Sequence, residues 1–313
     1  MSTLYDSARA YVAMRRSLGF KLRRHDLQMR QLVAFLNERK ARRITTKLAL
    51  DFATRDQGNG PKPRKALLAL VRGFAKYQAG LDPLTEIPPS GLLPSAKRRA
   101  RPYLYSEGEV RSLTKAALDR PSIASLLPST YHCIFGLLAV TGMRVSEALN
   151  LRCDHIDWAS GIITVHETKF GKTRLVPLHS STVAALADYE RRRRKYLAKY
   201  RYGPVPYFFV SRRGRRVHAT CLDRMFWELS QQIGLRAQYG GHGPRIHDLR
   251  HRFAVETLLR WYRSGCDVDR RMYVLSTYLG HTETSHTYWY LSCTPELMET
   301  AGRLLEKRWE GIA

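Results

Sequence analysis

The stretch GIITVHETKFGKTRLVPL, residues 161–178, decides the fold class. Two β-branched runs, GIITVHE and RLVPL, flank a polar turn, TKFGKT, and such a pattern is the signature of a hairpin. Most of what surrounds it reads as helix. Upstream, YHCIFGLLAV (131–140) is an apolar segment that ends at Thr141-Gly142, and a second helix carries Arg144 through Leu151. Downstream, STVAALADYERRRRKYLAKY (181–200) is a long amphipathic helix. YFFVS (207–211) reads as a short strand followed by a basic turn, RRGRR (212–216). Further helices are expected near 218–233, 247–264, 270–279, 282–290 and 295–309. The class is therefore mainly α with a small β-hairpin sheet.

Toward the N-terminus the texture is helical up to about residue 80. In HDLQMRQLVAFLNERK (25–40), Met29, Leu32, Val33 and Leu36 share one helix face. In RKALLALVRGFAKYQ (64–78), Leu67, Leu68, Val71 and Phe74 form the stripe, and Thr45 and Thr46 offer caps for a short helix between the two. The prolines of LDPLTEIPPSGLLPSAKRRARPYL (81–104) forbid regular helix. A new helix starts near Ser106, where SEGEV places Glu107 and Glu109 in a first turn. The expected organisation is a helical domain over 1–82, a basic proline-rich linker over 83–103 and a larger domain over 104–313.

The 313 residues carry 53 Lys+Arg against 27 Asp+Glu, a net charge of +26, which favours salt-sensitive association with a phosphate backbone. The basic linker run Lys97, Arg98, Arg99 and Arg101, the run Arg191 to Lys195, and the turn arginines 212, 213, 215 and 216 could each face phosphates or solvent. Five scattered cysteines without a CxxC pair suggest neither a zinc site nor a disulfide framework. The N-terminus lacks a secretory core, and no stretch reaches the roughly 18 apolar residues of a membrane span, so a cytoplasmic, nucleoid-associated protein is expected.

Six polar residues stand out in the larger domain: Arg144 in TGMRVSEAL, Lys169 in ETKFGKTRLVPL, His247 and Arg250 in HDLRHRF, His281 in YLGH and Tyr290 in TYWYL. They combine a nucleophile, a proton donor and several cationic or hydrogen-bonding groups suited to a phosphate. A phosphodiester repels nucleophiles, and its transition state spreads negative charge over the nonbridging oxygens, so catalysis is mainly positioning and electrostatics. Two permanently charged guanidiniums, Arg144 and Arg250, suit a clamp. Glu147 either orients a clamp residue or solvates a helix turn. No GxxxxGK[ST] loop is present, and no carboxylate cluster suggests two catalytic metals. The five-residue spacing of His281 and His286 departs from HExxH, so no metal or other cofactor is expected.

On these strings the larger domain resembles the catalytic domain of the tyrosine recombinases, the phage integrase family, over about residues 104–300. YLGHTETSHTYWYLS (278–292) and the long stretch before it look most like transposon-encoded members. The N-terminal part resembles the family's core-binding domain in position and size alone. The resemblance implies that a tyrosine attacks DNA and forms a 3′-phosphotyrosyl link. The family's tyrosine lies nine positions after the LGH histidine, which selects Tyr290 over Tyr288. His247 is the proton acceptor or a phosphate ligand, and His281 donates to a nonbridging oxygen. Lys169, with Lys172 as its local competitor, protonates the leaving 5′-oxygen. Double-stranded DNA is the implied partner. Protomers are expected to assemble on paired sites as dimers to tetramers, with accessory recombinases as further partners, in integration or excision of a mobile element. The C-terminal helix TPELMETAGRLLEKRW, with Leu297, Leu304 and Leu305, packs either on a neighbouring protomer or in cis. The stretch 261–269 lengthens the usual family spacing. Two rival readings are a topoisomerase-like relaxing enzyme of the same chemistry and a catalytically silent DNA-binding or architectural protein.

Overall fold

The computed structural model describes residues 4–20, 22, 25–56, 60–94, 102–121, 125–166, 173–236, 243–292 and 295–310. It divides into two compact units, Met1–Ala100 and Arg101–Ala313.

The first unit holds α1 (Leu4–Ser17), α2 (His25–Glu38), α3 (Thr46–Thr54) and α4 (Pro61–Ala79). The apolar spacing of α2 explains its orientation, since Met29, Leu32, Val33 and Leu36 are all buried. On α4 the buried stripe is Leu68, Val71 and Phe74, while Leu67 is half-buried at its margin. Thr45 caps α3 by accepting from the Leu48 amide at 3.2 Å. Among its described residues the proline-rich stretch carries no helix, and its first half is strapped to this unit. The Arg72 guanidinium donates to the Pro88 and Pro89 carbonyls at 2.7 and 2.5 Å. The Thr46 amide donates to Glu86 at 2.7 Å. The basic run from residue 97 to 101 lies outside the described residues.

The second unit opens with α5 (Glu107–Leu118), started by a reciprocal capping box between Ser106 and Glu109. Then come α6 (Leu127–Thr141), α7 (Val145–Leu149) and a three-stranded antiparallel sheet of β1 (Ile156–Asp157), β2 (Ile162–Val165) and β3 (Arg174–Pro177). The hairpin register pairs Ile162 with Pro177 and Val165 with Arg174. The helices α8 (Ser180–Lys199), α9 (Ala219–Gln232), α10 (Asp248–Arg263), α11 (Val268–Leu279), α12 (Ser285–Tyr288) and α13 (Pro295–Glu310) complete it, with a short 3-10 turn over Trp289–Ser292. One core gathers α5, α6, the hairpin, α8 and α9. A second lies between α10 and α11, and it takes in Tyr290 and Leu297. Leu297 therefore packs in cis; the side chains of Leu304 and Leu305 lie outside the described residues.

Three local expectations change. YFFVS is not a strand, because Tyr207 and Val210 make only isolated bridges, to Arg152 and Arg216. Phe208, Phe209 and Val210 are all buried, so the segment plugs the core instead of alternating faces. The helix after Gly142 lasts only five residues, with Arg144 as its N-cap. Nor is the arginine run of α8 uniformly solvated. Arg193 is buried and donates to the Val205 and Tyr207 carbonyls at 2.6 and 2.8 Å, so it ties α8 to the following loop.

Candidate functional site

Two helices end in left-handed glycines, and those ends build the site. α6 stops at Gly142 (φ 60°) and α11 at Gly280 (φ 68°). A Cβ would be strained by the positive φ at both positions and crowded by its neighbours. One added at Gly142 would lie 2.5 Å from Phe253 Cδ1, and one at Gly280 would lie 3.0 Å from Arg174 Nη1. The carbonyls there are the electronegative ends of their helices. Arg250 donates through Nη1 to the Gly142 carbonyl and through Nη2 to the Leu279 carbonyl, both at 2.7 Å. Arg144 donates through Nη2 to the Gly280 carbonyl at 2.8 Å. The two arginines read from the sequence are thus brought to adjoining helix ends, although 108 residues separate Arg250 from Gly142.

Glu147 fixes the other side of Arg144. Its carboxylate accepts from the Arg144 backbone amide and from Arg144 Nη1, both at 2.8 Å. It also accepts two bonds from Arg174, through Nη1 at 2.9 Å and Nη2 at 2.6 Å. The side chains of Glu147 and Arg174 are 6% and 8% exposed, so Glu147 orients Arg144 and does not merely solvate a turn. Burial alone would raise the Glu147 carboxyl, but the Arg174 and Arg144 contacts outweigh it and hold it at about 2. Burial and the neighbouring Arg144 charge pull Arg250 down to about 10, which leaves it cationic at neutral pH.

Tyr290 lies in the 3-10 turn and is 2% exposed, whereas Tyr288 is 45% exposed. Tyr288 therefore faces outward and does not pack beside its neighbour. The Tyr290 ring stacks on His281, with centroids 6.2 Å apart and planes at 22°. His251 and Trp289 also lie against it, each with centroids 5.5 Å away. Tyr290 is close enough to Arg250 to favour its charged form. His281 Nδ1 lies 2.7 Å from Thr287 Oγ1, a buried hydroxyl that sets the ring's orientation. His247 is the N-cap of α10, one turn before Arg250, and stands edge-on to His251 at 4.9 Å. His247 is exposed, yet the protein around it, and then the Arg250 charge, lower its pKa. The positive end of α10 adds to the attraction for an anion here.

Five of the six sequence candidates, Arg144, His247, Arg250, His281 and Tyr290, therefore converge. Lys169 lies outside the described residues, as does Lys172; the hairpin leaves β2 at Val165 and returns at Arg174. Sequence reading missed Arg174, His251 and Thr287. The only signal for Arg174 was its place at the start of an otherwise apolar strand, and His251 was hidden beside the stronger HxxR pattern. The site gathers two guanidiniums and imidazoles, groups that can together bind a tetrahedral anion, around a buried phenol.

The chain is similar to known proteins along most of its length. The phage integrase family's model matches residues 105–296. Over 313 residues the chain is 47% identical to a putative integrase/recombinase, y4rB, of Sinorhizobium fredii, with 99% of each chain covered. It is 27% identical over 259 residues to the tyrosine recombinase XerA of Pyrococcus furiosus, covering 82% of this chain and 79% of the other. Among solved structures, the Tn1549 transposon integrase in complex with transposon right end DNA superimposes with a TM-score of 0.65 at 16% identity, covering 96% of this chain and 98% of that one. A lambda integrase tetramer bound to a Holliday junction gives 0.61 at 18% identity, covering 91% and 79%. At these identities the structural likeness establishes the fold.

Proposed function

The chain belongs to the phage integrase family, the tyrosine recombinases, and is a DNA strand-exchange enzyme; from that premise we propose that Tyr290 is its nucleophile. The phenolic oxygen attacks the scissile phosphorus, a 3′-phosphotyrosyl bond forms and the 5′-oxygen departs. Arg144 and Arg250 hold the nonbridging oxygens, with His281 as a further donor. His247, whose pKa is lowered by the surrounding protein and then by the Arg250 charge, takes the phenol proton. Lys169 gives a proton to the departing 5′-oxygen, a task for which an ammonium is better suited than a guanidinium. The covalent link retains the energy of the phosphodiester, so a 5′-hydroxyl from a second duplex reverses the reaction without ATP.

The first 82 residues would be the core-binding domain, and the basic stretch after them would follow the phosphate backbone. The net charge of +26 supports association with DNA and the nucleoid. Kinship with integrases, one from a transposon, supports a role in moving a mobile element between paired sites, by protomers assembled as dimers or tetramers. The observation that carries the assignment of roles is the seating of Tyr290 against His281 and His251 within one chain, with His251 in turn against His247. Because Tyr290 is 2% exposed, DNA must displace part of its surroundings before attack.

The test is a nicked suicide duplex built from DNA recovered covalently on the wild-type chain. Wild type should give a denaturant-resistant adduct, in EDTA as well as without it. Tyr290→Phe should bind the duplex and give none. An undiminished adduct from Tyr290→Phe would move the nucleophile, first of all to Tyr288.

A further inference from the structure

We infer that Arg174 is a positioning residue that keeps Arg144 both aligned and effectively cationic toward the scissile phosphate, acting through Glu147. The inference rests on the reading of Arg144 as a clamp residue. Alone with Glu147, Arg144 would form a one-to-one ion pair whose field on a nearby phosphate largely cancels. Arg174 changes that balance. Its two Nη groups bind the two carboxylate oxygens at 2.9 and 2.6 Å, so Arg144, Glu147 and Arg174 together remain net positive. Glu147 receives bonds from both arginines and from the Arg144 amide, which leaves it little freedom to turn.

Two further observations set Arg174 apart from Arg144. Its side chain is 8% exposed, against 24% for Arg144, and both of its Nη groups are taken up by Glu147. It is also the first residue of β3 and pairs with Val165, so its ionic grip on α7 fixes the base of the hairpin between whose strands Lys169 falls in the sequence. Gly280 makes room for this, since a Cβ there would meet Arg174 Nη1 at 3.0 Å and Arg144 Nη1 at 3.4 Å.

The experiment compares full-length wild type, Arg144→Gln, Arg174→Gln and Arg174→Lys on the suicide duplex, with either a normal phosphodiester or a methylphosphonate at the scissile position. The methylphosphonate removes the nonbridging negative charge that Arg144 serves. Arg174→Gln should bind the duplex as wild type does but form adduct at least tenfold more slowly. Arg174→Lys should recover only part of the rate, because an ammonium restores charge without the two-point grip. On the methylphosphonate, the deficits of Arg144→Gln and Arg174→Gln should both shrink to under threefold. If Arg174→Gln folds poorly, Glu147→Gln/Arg174→Gln removes both buried charges and should show the same relief. A normal rate for Arg174→Gln beside an impaired Arg144→Gln overturns this inference alone. A deficit of Arg174→Gln that the methylphosphonate leaves unchanged also overturns it. Full activity of Arg144→Gln overturns the clamp reading, and this inference with it.

Discussion

Replacing Glu147 by glutamine tests the site's electrostatic frame most directly. The carboxyl is held at about 2 against an ordinary 4.5, so its ionised form is favoured by the fold. A depression of that size corresponds to about 3 kcal/mol of stability at neutral pH. Its 6% exposed side chain leaves little solvent to screen that contribution. The sign follows from the direction of the shift. The contribution is complete above the unfolded pKa near 4.5 and is lost as pH falls through 4.5 toward 2. Glutamine supplies one acceptor oxygen where the carboxylate supplies two, and it leaves the Arg144 and Arg174 charges facing each other. At roughly 2–4 °C per kcal/mol for a unit of this size, the second unit of Glu147→Gln should melt about 6–12 °C below wild type at pH 7. That gap should narrow steadily from pH 5 to pH 3. Thermal melts of both proteins across this range measure it, and covalent adduct formation on the suicide duplex should fall at least tenfold alongside. Equal melting temperatures at pH 7, or a gap that does not change with acid, would refute the reasoning.

Other substitutions probe separate parts of the site. Lys169→Ala should slow cleavage of a normal duplex at least a hundredfold, within the ~10²–10⁴ range for general acid catalysis, and a 5′-bridging phosphorothiolate should restore it; no restoration rejects the proton-donor role. Gly280→Ala adds about 1–2 kcal/mol of left-handed strain and pushes on both arginines, so adduct formation should drop at least tenfold. Gly265→Ala carries the same backbone penalty at φ 68° with nothing within 4 Å, and should melt lower while cleaving normally; parallel losses in the two would show that strain alone is responsible. Replacing the exposed turn residues Arg212, Arg213 and Arg215 by glutamine should flatten the salt dependence of duplex binding by about 0.9 in log–log slope for each phosphate that the turn no longer neutralises; an unchanged slope removes the turn from the DNA interface.

The readable parts of this molecule are those whose physics is local. Hairpin strands announce themselves by β-branched runs around a polar turn, and α2 by its apolar spacing. Arg144, His247, Arg250, His281 and Tyr290 were legible because their neighbours form strings tied to helix ends. What stayed hidden depends on meetings between distant parts of the chain. Arg144 reaches the Gly280 carbonyl 136 residues away, and Arg174 reaches Glu147 across 27. No periodicity records such a meeting. Arg193 was obscured for a related reason: five consecutive basic residues look uniform in sequence, but α8 turns only one of its arginines toward the Val205 and Tyr207 carbonyls. YFFVS misled because its apolar run suits a buried plug as well as a strand, and only packing decides between them.

The choice of partners for Arg144 and Arg250 has its own logic. A buried guanidinium needs acceptors, and a carboxylate would satisfy it at the cost of its charge. Arg250 is 2% exposed and is held by two backbone carbonyls, which fill donors without neutralising its charge. Those carbonyls are available because α6 and α11 end at that point, where the last C=O groups of a helix have no partner within it. The left-handed glycines turn the chain sharply enough to let the arginines in. Arg144 does take a carboxylate, and at that place the structure adds Arg174, so the local charge stays positive. Helix termination, glycine geometry and the second-rank arginine are thus three parts of one solution to burying cations without neutralising them.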